Sequence, residues 1–465
     1  MKKKENMSDN LKKSSIDGTV PAISKEELEG SDTFPAMSKE ELEELKKNSV
    51  ILASFSFGED EEQKNVVSGQ EQTMLTLDAN EMSTMLKKAS SKQDLLDLLN
   101  YASKVVFGES TKPYTMRMLN LQAYSSINPH RYHSFQIPKK KAGEFRQIDA
   151  PNKALKSIQQ VLNNILQTVH QPHHAAMGFV QGRSVATNAR VHVGMKYVYN
   201  IDLKDFFPSI TSGRIHARLK AAPFSINDKV ASMIADLCCN KDTEGKSVLP
   251  QGAPTSPTLT NIICENLDKK LSKLASVYGL RYTRYADDIT FSGMYNAFEE
   301  GGKFLQSMRH IVEEEEHFHI NPAKTRLTHR GMRQEVTGLT VNEKPNVSRT
   351  YVKQLRTMLH IWEKQGLAAA QESFEKHYTP KVDKTDKPVP HIENVIGGKL
   401  LYMKMVKGGE DSTFQSLKSR YLQLTSTEFS ETNKSDIWPV KRGVETSSDD
   451  VLLKELEDII SMIDS

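Results

Sequence analysis

Three aspartates stand where apolar strand sequence ends. Asp202 follows the run "KYVYNI" and precedes two phenylalanines, and Asp287 and Asp288 are adjacent within "RYTRYADDITFSG". Aromatic and β-branched residues favour strands and aspartate does not, so the pair must either bury a charge or lie in a tight turn. Three carboxylates brought together on adjacent strands would repel one another unless a cation lay between them.

Two Mg²⁺ ions would supply that counter-charge. Ions about 3.5–4 Å apart can align an in-line phosphoryl displacement, and Mg²⁺ prefers a few carboxylates plus phosphate oxygens. The residues therefore predict metal-assisted phosphoryl transfer, with Asp202, Asp287 and Asp288 as metal ligands. The alternative is that "ADD" is an exposed turn and that Asp202 caps a helix. This alternative stays open because a four-residue motif such as "YADD" can occur by chance.

The elements that would hold these residues mix helices with antiparallel strands, which is typical of an α+β fold. Alternation predicts a hairpin at 132–152, a strand that ends near Asp202, a hairpin around Asp287 and short strands near 326–341. Helical periodicity predicts helices at about 91–107, 154–169, 227–239, 257–279, 296–317 and 349–366.

The two ends of the chain differ from its middle in charge. Residues 1–110 carry a net charge of −7, residues 427–465 carry −6, and the residues between them carry +16 within a total of +3. A basic middle between acidic ends favours a core that binds a polyanion, such as nucleic acid. Uneven surface charge on an ordinary enzyme is the alternative.

We expect residues 1–85 to be a polar, acidic and partly disordered extension. Within it, "PAISKEELEG" recurs as "PAMSKEELEE", each copy with a serine N-cap followed by acids. Residues 427–465 form a short acidic tail that ends in an apolar-striped helix, which either packs on the body or docks a partner.

The sequence favours a reduced, cytoplasmic protein. Its three cysteines, two of them adjacent, show no metal-ligand spacing. The basic start is not followed by an apolar signal region, and no apolar run is long enough for a membrane span.

Three motifs surround the aspartates in order. "PKKKAGEFR" supplies Lys139 and Arg146, which suit phosphate groups. "LPQGAPTSPTLTNII" places Gln251 ahead of a helix start where a nucleotide could bind, and "NPAKT" carries Lys324. Together with the aspartates, this series resembles the right-hand reverse transcriptase fold of fingers, palm and thumb.

The resemblance covers about residues 90–425 and implies roles for single residues. Phe207 falls where these enzymes place the bulky side chain that excludes a ribose 2′-OH, so deoxynucleoside triphosphates (dNTPs) would be the substrates. Gln251 matches the glutamine near the incoming sugar.

Two cationic positions are similar to family residues that handle the triphosphate. Arg146, with Lys139 or Lys140, matches fingers residues that bind the triphosphate. Lys324 is similar to the lysine proposed to protonate the pyrophosphate leaving group; a solvated loop lysine is the alternative.

Two signatures are similar to those of bacterial retron reverse transcriptases. "NARVH" resembles NAxxH, and Val336, Thr337 and Gly338 form VTG, which falls at the primer-grip position and implies binding of the primer or RNA. Asn188 and His192 are four residues apart and would share a helix face, where they could bind RNA or brace the palm. A purely structural histidine is the alternative.

The resemblance divides the chain into fingers and palm at 86–344 and a thumb at 345–426. In the thumb, Lys353 and Arg356 lie in a helix with interspersed aromatics, which suits structured RNA. The apolar residues of that helix could equally form the thumb core, on a different face.

A retron-type enzyme would copy part of a cognate structured non-coding RNA, primed from an RNA 2′-OH, into a branched RNA–DNA hybrid. It would act in antiphage defence with a separate effector protein and without a membrane. One alternative is another bacterial reverse transcriptase, group II intron-like or of another defence type. The other is a catalytically silent RNA-binding scaffold, which the presence of all three aspartates disfavours.

Overall fold

The computed structural model describes residues 77–138, 143–378 and 389–431. Within these ranges the helices are interspersed with short strands. In chain order they are α1 Ala79–Lys88, α2 Lys92–Phe107, α3 Met116–Ala123, α4 Lys153–Val169, α5 Val185–Val191, α6 Ser212–Lys220, α7 Asp228–Cys238, α8 Ser256–Ile263, α9 Glu265–Val277, α10 Lys303–Arg309, α11 Arg349–His377, α12 Ile392–Lys407 and α13 Ser412–Glu431.

The strands pair in an antiparallel sense and form one central sheet and three small hairpins. They are β1 Tyr132–Pro138, β2 Phe145–Pro151, β3 Tyr197–Lys204, β4 Asn240–Lys241, β5 Ser247–Val248, β6 Arg281–Tyr285, β7 Asp288–Gly293, β8 His319–Ile320, β9 Arg326–His329, β10 Glu335–Val336 and β11 Leu339–Thr340. The hairpins are β1–β2, β4–β5 and β10–β11.

The central sheet has the order β6–β7–β3, and β8 and β9 both pair with the far edge of β3. β3 is buried along most of its length because its flanks are covered, so Val198, Ile201 and Leu203 all lie in the interior. β9 pairs with β3 near its start and β8 pairs with it at its end. The short strand pair predicted near 326–341 is present as β10 and β11, and β9, in the same stretch, instead pairs with β3 in the central sheet.

A large apolar core fills the space between the sheet and helices α1 to α4 and α6 to α10. The amphipathic helix α4 contributes a complete face to it, which includes Ile158, Leu162 and Ile165. Helix α2 begins at a capping box, in which Ser91 and Asp94 each bond the other's backbone N–H.

The ordered fold starts earlier than the sequence predicted. Helix α1 buries Met82 and Leu86 in the large core, so the boundary set at residue 85 falls inside a packed helix. Most residues around Met82 and Leu86 are polar, so the sequence did not reveal that this helix has a buried apolar face. The predicted repeat, Lys139 and the terminal amphipathic helix lie outside the described residues.

A second apolar core joins the thumb helices to two elements that precede them in sequence. It combines α11 to α13 with Ala186 and Ala189 of α5 and with Val336 and Leu339 of the β10–β11 hairpin. The predicted boundary at residue 344 therefore does not coincide with a boundary in packing.

Two predicted helices are interrupted. The helix expected at 257–279 breaks at Cys264, which has φ −80° and ψ 3° and separates α8 from α9. The helix expected at 296–317 begins only at Lys303, because Gly301 adopts φ 77° ahead of it, and it ends in a wider π-helical turn, His310–Glu315.

The three cysteines are all free and buried, in keeping with the expectation that none forms a disulfide. Among the helices of the described ranges, none combines the length and the apolar character needed to cross a bilayer.

Candidate active site

Strand pairing brings the three aspartates to one end of the central sheet. In the register of β3 and β7, Asp202 lies directly opposite Asp288. Asp287 lies in the two-residue turn between β6 and β7, and its carbonyl accepts the N–H of Leu203 at 3.0 Å. Two of the carboxylates therefore come from the neighbouring strands β3 and β7, and the third comes from the turn between β6 and β7.

The turn has a strained backbone and a close neighbour. Ala286 adopts φ 56°, a left-handed conformation that a β-carbon disfavours. The segment beside it, residues 175–178, pairs with Arg284, and a β-carbon added to Gly178 would lie 2.6 Å from the Ala286 nitrogen. Only glycine fits at position 178 without moving the turn.

Burial, together with repulsion between the carboxylates, raises the pKa values of Asp287 and Asp288. Although Asp288 keeps an open face to solvent, burial by the surrounding protein and the charges of Asp287 and Asp202 raise its pKa to about 7. Burial also raises the pKa of Asp287, and Asp202 adds to this effect while Lys324 and Arg146 oppose it.

Asp202 is held by two residues from the segment after β8. Lys324 Nζ lies 2.7 Å from Oδ1, and Asn321 Nδ2 donates to Oδ2 at 3.2 Å. Asn321 also donates its backbone N–H to the Asp202 carbonyl at 2.8 Å. Burial acts to lower the pKa of Lys324, but the bond to Asp202 and the other two aspartates outweigh it and raise that pKa.

This donor set fits a divalent cation. Three carboxylates face one lysine, and burial first and mutual repulsion second raise the pKa values of Asp287 and Asp288. A cation between the carboxylates would favour their charged forms. Over the described ranges, no three Asp, Glu, His or Cys side chains form a ready-made cage for a metal ion. An incomplete protein ligand set suits Mg²⁺, which takes further oxygens from water and substrate phosphate.

Two predicted nucleotide-binding residues lie just after β3 and in the loop after β5. Phe207 is half-buried just past β3, with its ring centroid 6.2 Å from that of Phe179. Gln251 accepts the N–H of Asp149 through its carbonyl at 2.8 Å, which ties its loop to β2. Gly252 follows with φ 122°, where a β-carbon would meet Ile148 at 2.9 Å.

Arg146 reaches the site from the β1–β2 hairpin. It is exposed on β2, opposite Ile137, and is close enough for its charge to lower the pKa of Asp287. Its predicted companion, Lys139 or Lys140, is outside the described residues.

The NAxxH signature is internal. His192 is fully buried at the end of α5, and its ring nitrogens lie 2.7 Å from the hydroxyls of Ser292 and Thr283. Burial lowers its pKa to about 3. The ring has no surface to offer RNA, so direct RNA binding by His192 does not fit this structure and bracing of the palm does.

The two retron signatures contact each other. Asn188 is 1 % exposed, and its Nδ2 lies 3.4 Å from Thr337 Oγ1, which in turn contacts the carbonyl of Val185. Val336 is fully buried, so neither Asn188 nor Val336 offers a direct RNA contact here. Thr337 is half-buried and Gly338 is exposed. They form the turn of the β10–β11 hairpin, with φ 46° and φ 80° respectively.

Helix α11 separates its apolar and basic faces. Leu355, Leu359 and Trp362 are buried in the second core. Lys353 and Arg356 are exposed on the opposite side, and helical spacing adds His360 and Lys364 to the same stripe. Lys364 was not among the residues predicted from the sequence.

Other residues of the site also escaped sequence reasoning. Gly178 and Asn321 have no charge pattern to mark them, although Asn321 stands in the same motif as Lys324. Arg284 and Asp268 form an ion pair beneath the turn. An arginine at a position where a strand should be apolar was the available signal for this pair.

Comparison with known proteins defines the class. A family model described as reverse transcriptase (RNA-dependent DNA polymerase) matches residues 137–368, which contain the central sheet and its aspartates. The retron Mx162 reverse transcriptase of Myxococcus xanthus is 39% identical over 273 residues, covering 53% of this chain and 55% of the relative. The retron Ec86 reverse transcriptase of Escherichia coli is 34% identical over 242 residues, covering 50% of this chain and 69% of the relative. This chain belongs to the retron reverse transcriptases.

The predicted family and the α+β right-hand fold are thereby confirmed. Dependence on a divalent metal is a general property of this family. The matched region spans little more than half the length of the Mx162 relative. A solved telomerase from Candida albicans, in complex with a fragment of telomeric RNA, covers 72% of this chain and 66% of that chain at 11% identity; its TM-score of 0.35 is too low to support an inference.

Proposed function

We propose that this chain is an RNA-directed DNA polymerase that copies part of a cognate structured RNA, primed from a 2′-OH of that RNA. The observation that carries the proposal is the register of β3 and β7, which sets Asp202 opposite Asp288 with Asp287 in the adjoining turn. The branched RNA–DNA product would serve antiphage defence together with a separate effector protein, as the resemblance to retron enzymes implies.

Each residue near the carboxylates has a defined task in this proposal. Two Mg²⁺ ions held by Asp202, Asp287 and Asp288 would activate the attacking hydroxyl and stabilise the departing pyrophosphate. Lys324 keeps its proton beside Asp202, where it can offer charge or a proton to that leaving group. Phe207 closes the space that a ribose 2′-OH would need, and Arg146 binds the triphosphate from the fingers.

The thumb supports the RNA part of the proposal. The basic stripe of α11 points away from the core, so Lys353 and Arg356 are available to phosphates. RNA helices are bound largely through backbone and 2′-OH contacts, which suits exposed cations along a helix.

The test uses the nucleic acid that copurifies with the protein. Wild type, Asp287→Asn and Asp97→Asn are expressed with the native flanking DNA, and the bound nucleic acid is treated with ribonuclease and with a 2′–5′ debranching enzyme. Asp97 is an exposed carboxylate on α2 that bonds only Gln93, so its variant is the matched control.

A discrete DNA that shortens on debranching, appears with Asp97→Asn and is absent with Asp287→Asn is the expected result. Unbranched DNA would keep the polymerase and reject 2′-OH priming. Bound RNA without DNA in any sample would favour the silent scaffold instead.

A further inference from the structure

A buried charged network lies directly beneath the turn that holds Asp287. Arg284 is fully buried, and its guanidinium grips Asp268 with two bonds, Nε to Oδ1 at 2.8 Å and Nη2 to Oδ2 at 2.7 Å. Tyr282 donates its hydroxyl to Asp268 Oδ1 at 2.7 Å. The carboxylate thus holds one edge of the guanidinium with two bonds, and both side chains are almost completely buried.

The same guanidinium reaches up to the turn. Its Nη1 donates to the carbonyl of Ala286 at 3.2 Å, and Nη2 donates to Asn261 Oδ1 at 3.1 Å. Asn261 in turn donates to the carbonyl of Gly178 at 3.0 Å, and Gly178 is the residue packed against Ala286. The Arg284 side chain therefore bonds the turn directly at Ala286 and, through Asn261, also holds the Gly178 segment that packs against the turn.

Stability alone does not explain this arrangement. Removing two charges from water is costly, and buried ion pairs can often be replaced by apolar residues of similar volume without loss of stability. Apolar residues could not supply a directed bond to the Ala286 carbonyl, which belongs to a turn with a strained φ of 56°. The ion pair instead holds the Arg284 guanidinium where it can bond the Ala286 carbonyl and so fix the orientation of the turn.

We propose that Arg284, anchored by Asp268, is a positioning residue that sets the direction in which the turn presents Asp287 and Asp288 to the metal ions. The inference deepens the proposed polymerase function and rests on it. Residues behind metal ligands are known to matter in this way, since their loss commonly lowers activity or metal affinity roughly 10- to 100-fold.

The test separates positioning from folding with a paired substitution. In Arg284→Met/Asp268→Leu both charges disappear together, so no buried charge is left alone. The matched control is Arg218→Met/Glu265→Leu, which removes an arginine–carboxylate pair between α6 and α9 that does not contact the turn. Each full-length protein is purified with its RNA, and its melting temperature, kcat, KM for dTTP and Mg²⁺ dependence are measured.

Binding of Mn²⁺, followed by electron paramagnetic resonance, gives a readout that does not depend on activity. For Arg284→Met/Asp268→Leu we expect a melting temperature near that of wild type, a KM for dTTP within about twofold, and kcat lowered roughly 10- to 100-fold. The Mg²⁺ midpoint and the Mn²⁺ dissociation constant should both rise, and the control pair should change neither.

Wild-type kcat and Mn²⁺ affinity in the folded double variant would overturn the inference. If the double variant does not fold, Arg284→Lys takes its place, because lysine keeps the charge but cannot bond Asp268 and Ala286 with the same planar fork; an unchanged kcat and Mn²⁺ affinity in that variant would equally overturn it. An inactive wild type would contradict the proposed function, and the Mn²⁺ measurement would still decide the role of Arg284.

Discussion

At the scale of single residues, the aspartates depend on contacts from other parts of the chain. Asn321 donates to Asp202 from 119 positions away, and Gly178 packs against the backbone of Ala286. Arg284 bonds a carboxylate 16 positions before it as well as the Ala286 carbonyl. Because aspartate interrupts strand sequence, the three carboxylates could be predicted. An arginine within a strand was a signal for Arg284, but the contacts of all three supporting residues came only from the structure.

Phe207 gives a prediction about sugar selection. Phe207→Ala should open space beside the incoming ribose and reduce discrimination against ribonucleotides at least tenfold, because selectivity here comes from steric exclusion. The measurement is kcat/KM for dTTP and UTP on one template. Phe135→Ala, which removes an exposed aromatic side chain on β1, is the control. Equal discrimination in wild type and Phe207→Ala would contradict the assignment.

His192 gives a prediction about acid stability. Its pKa falls from 6.5 to about 3 on folding, so between these values the unfolded chain binds more protons and stability is lost as the pH falls. This histidine alone should cost wild type about 2 kcal/mol on going from pH 7 to pH 5. His192→Gln should be less stable at pH 7, by about 1–3 kcal/mol for the altered hydrogen bonds.

The check on His192 is urea unfolding at both pH values. The gap between wild type and His192→Gln should shrink at pH 5, whereas His133→Gln, on the exposed part of β1, should follow wild type at both. A gap that is constant with pH would show that His192 does not titrate in this way.

At the scale of elements, periodicity found the helices but not their breaks. Nothing in the sequence marks Cys264 as the end of α8. In a straight helix Asn261 and Asp268 would be separated by about 10.5 Å of rise, yet both bond one guanidinium nitrogen of Arg284. The break accommodates a tertiary contact, which local propensity cannot foresee.

The approach of residues 175–178 to the turn predicts a strong effect of one methyl group. Gly178→Ala would place a β-carbon 2.6 Å from the Ala286 nitrogen and must displace either the segment or the turn. We expect kcat to fall at least tenfold while RNA binding is retained, since a shift of about 1 Å in a catalytic group can cost 100-fold.

Gly213→Ala on α6 is the control for Gly178→Ala, because its β-carbon would meet nothing closer than 3.9 Å. Steady-state primer extension and a filter-binding assay give the two readouts. Normal extension by Gly178→Ala would show that the turn tolerates the displacement.

At the scale of the whole molecule, charge and motif order predicted a nucleic-acid polymerase, while the packing of its parts came only from the structure. The net positive middle of the chain includes the basic stripe on helix α11 of the thumb.

Lys353→Gln/Arg356→Gln should weaken RNA binding about tenfold and lower the slope of log Kd against log salt by about 1–2, because each phosphate contact releases counterions.

Titration of labelled RNA at several salt concentrations measures that slope. Lys376→Gln is the matched control, since Lys376 lies on the same helix beyond the break at Gly366 and is paired with Glu372. An unchanged slope in the double variant would place the RNA on another surface.

The second apolar core has a consequence for how the protein can be dissected. Ala186 and Ala189 precede the first catalytic strand, yet they share this core with helices that begin more than 150 residues later. A fragment that starts at residue 345 would expose the surface these alanines and the β10–β11 hairpin cover, and would tend to aggregate when expressed alone. We therefore expect that the thumb does not fold autonomously and that truncation is a poor way to isolate its RNA binding.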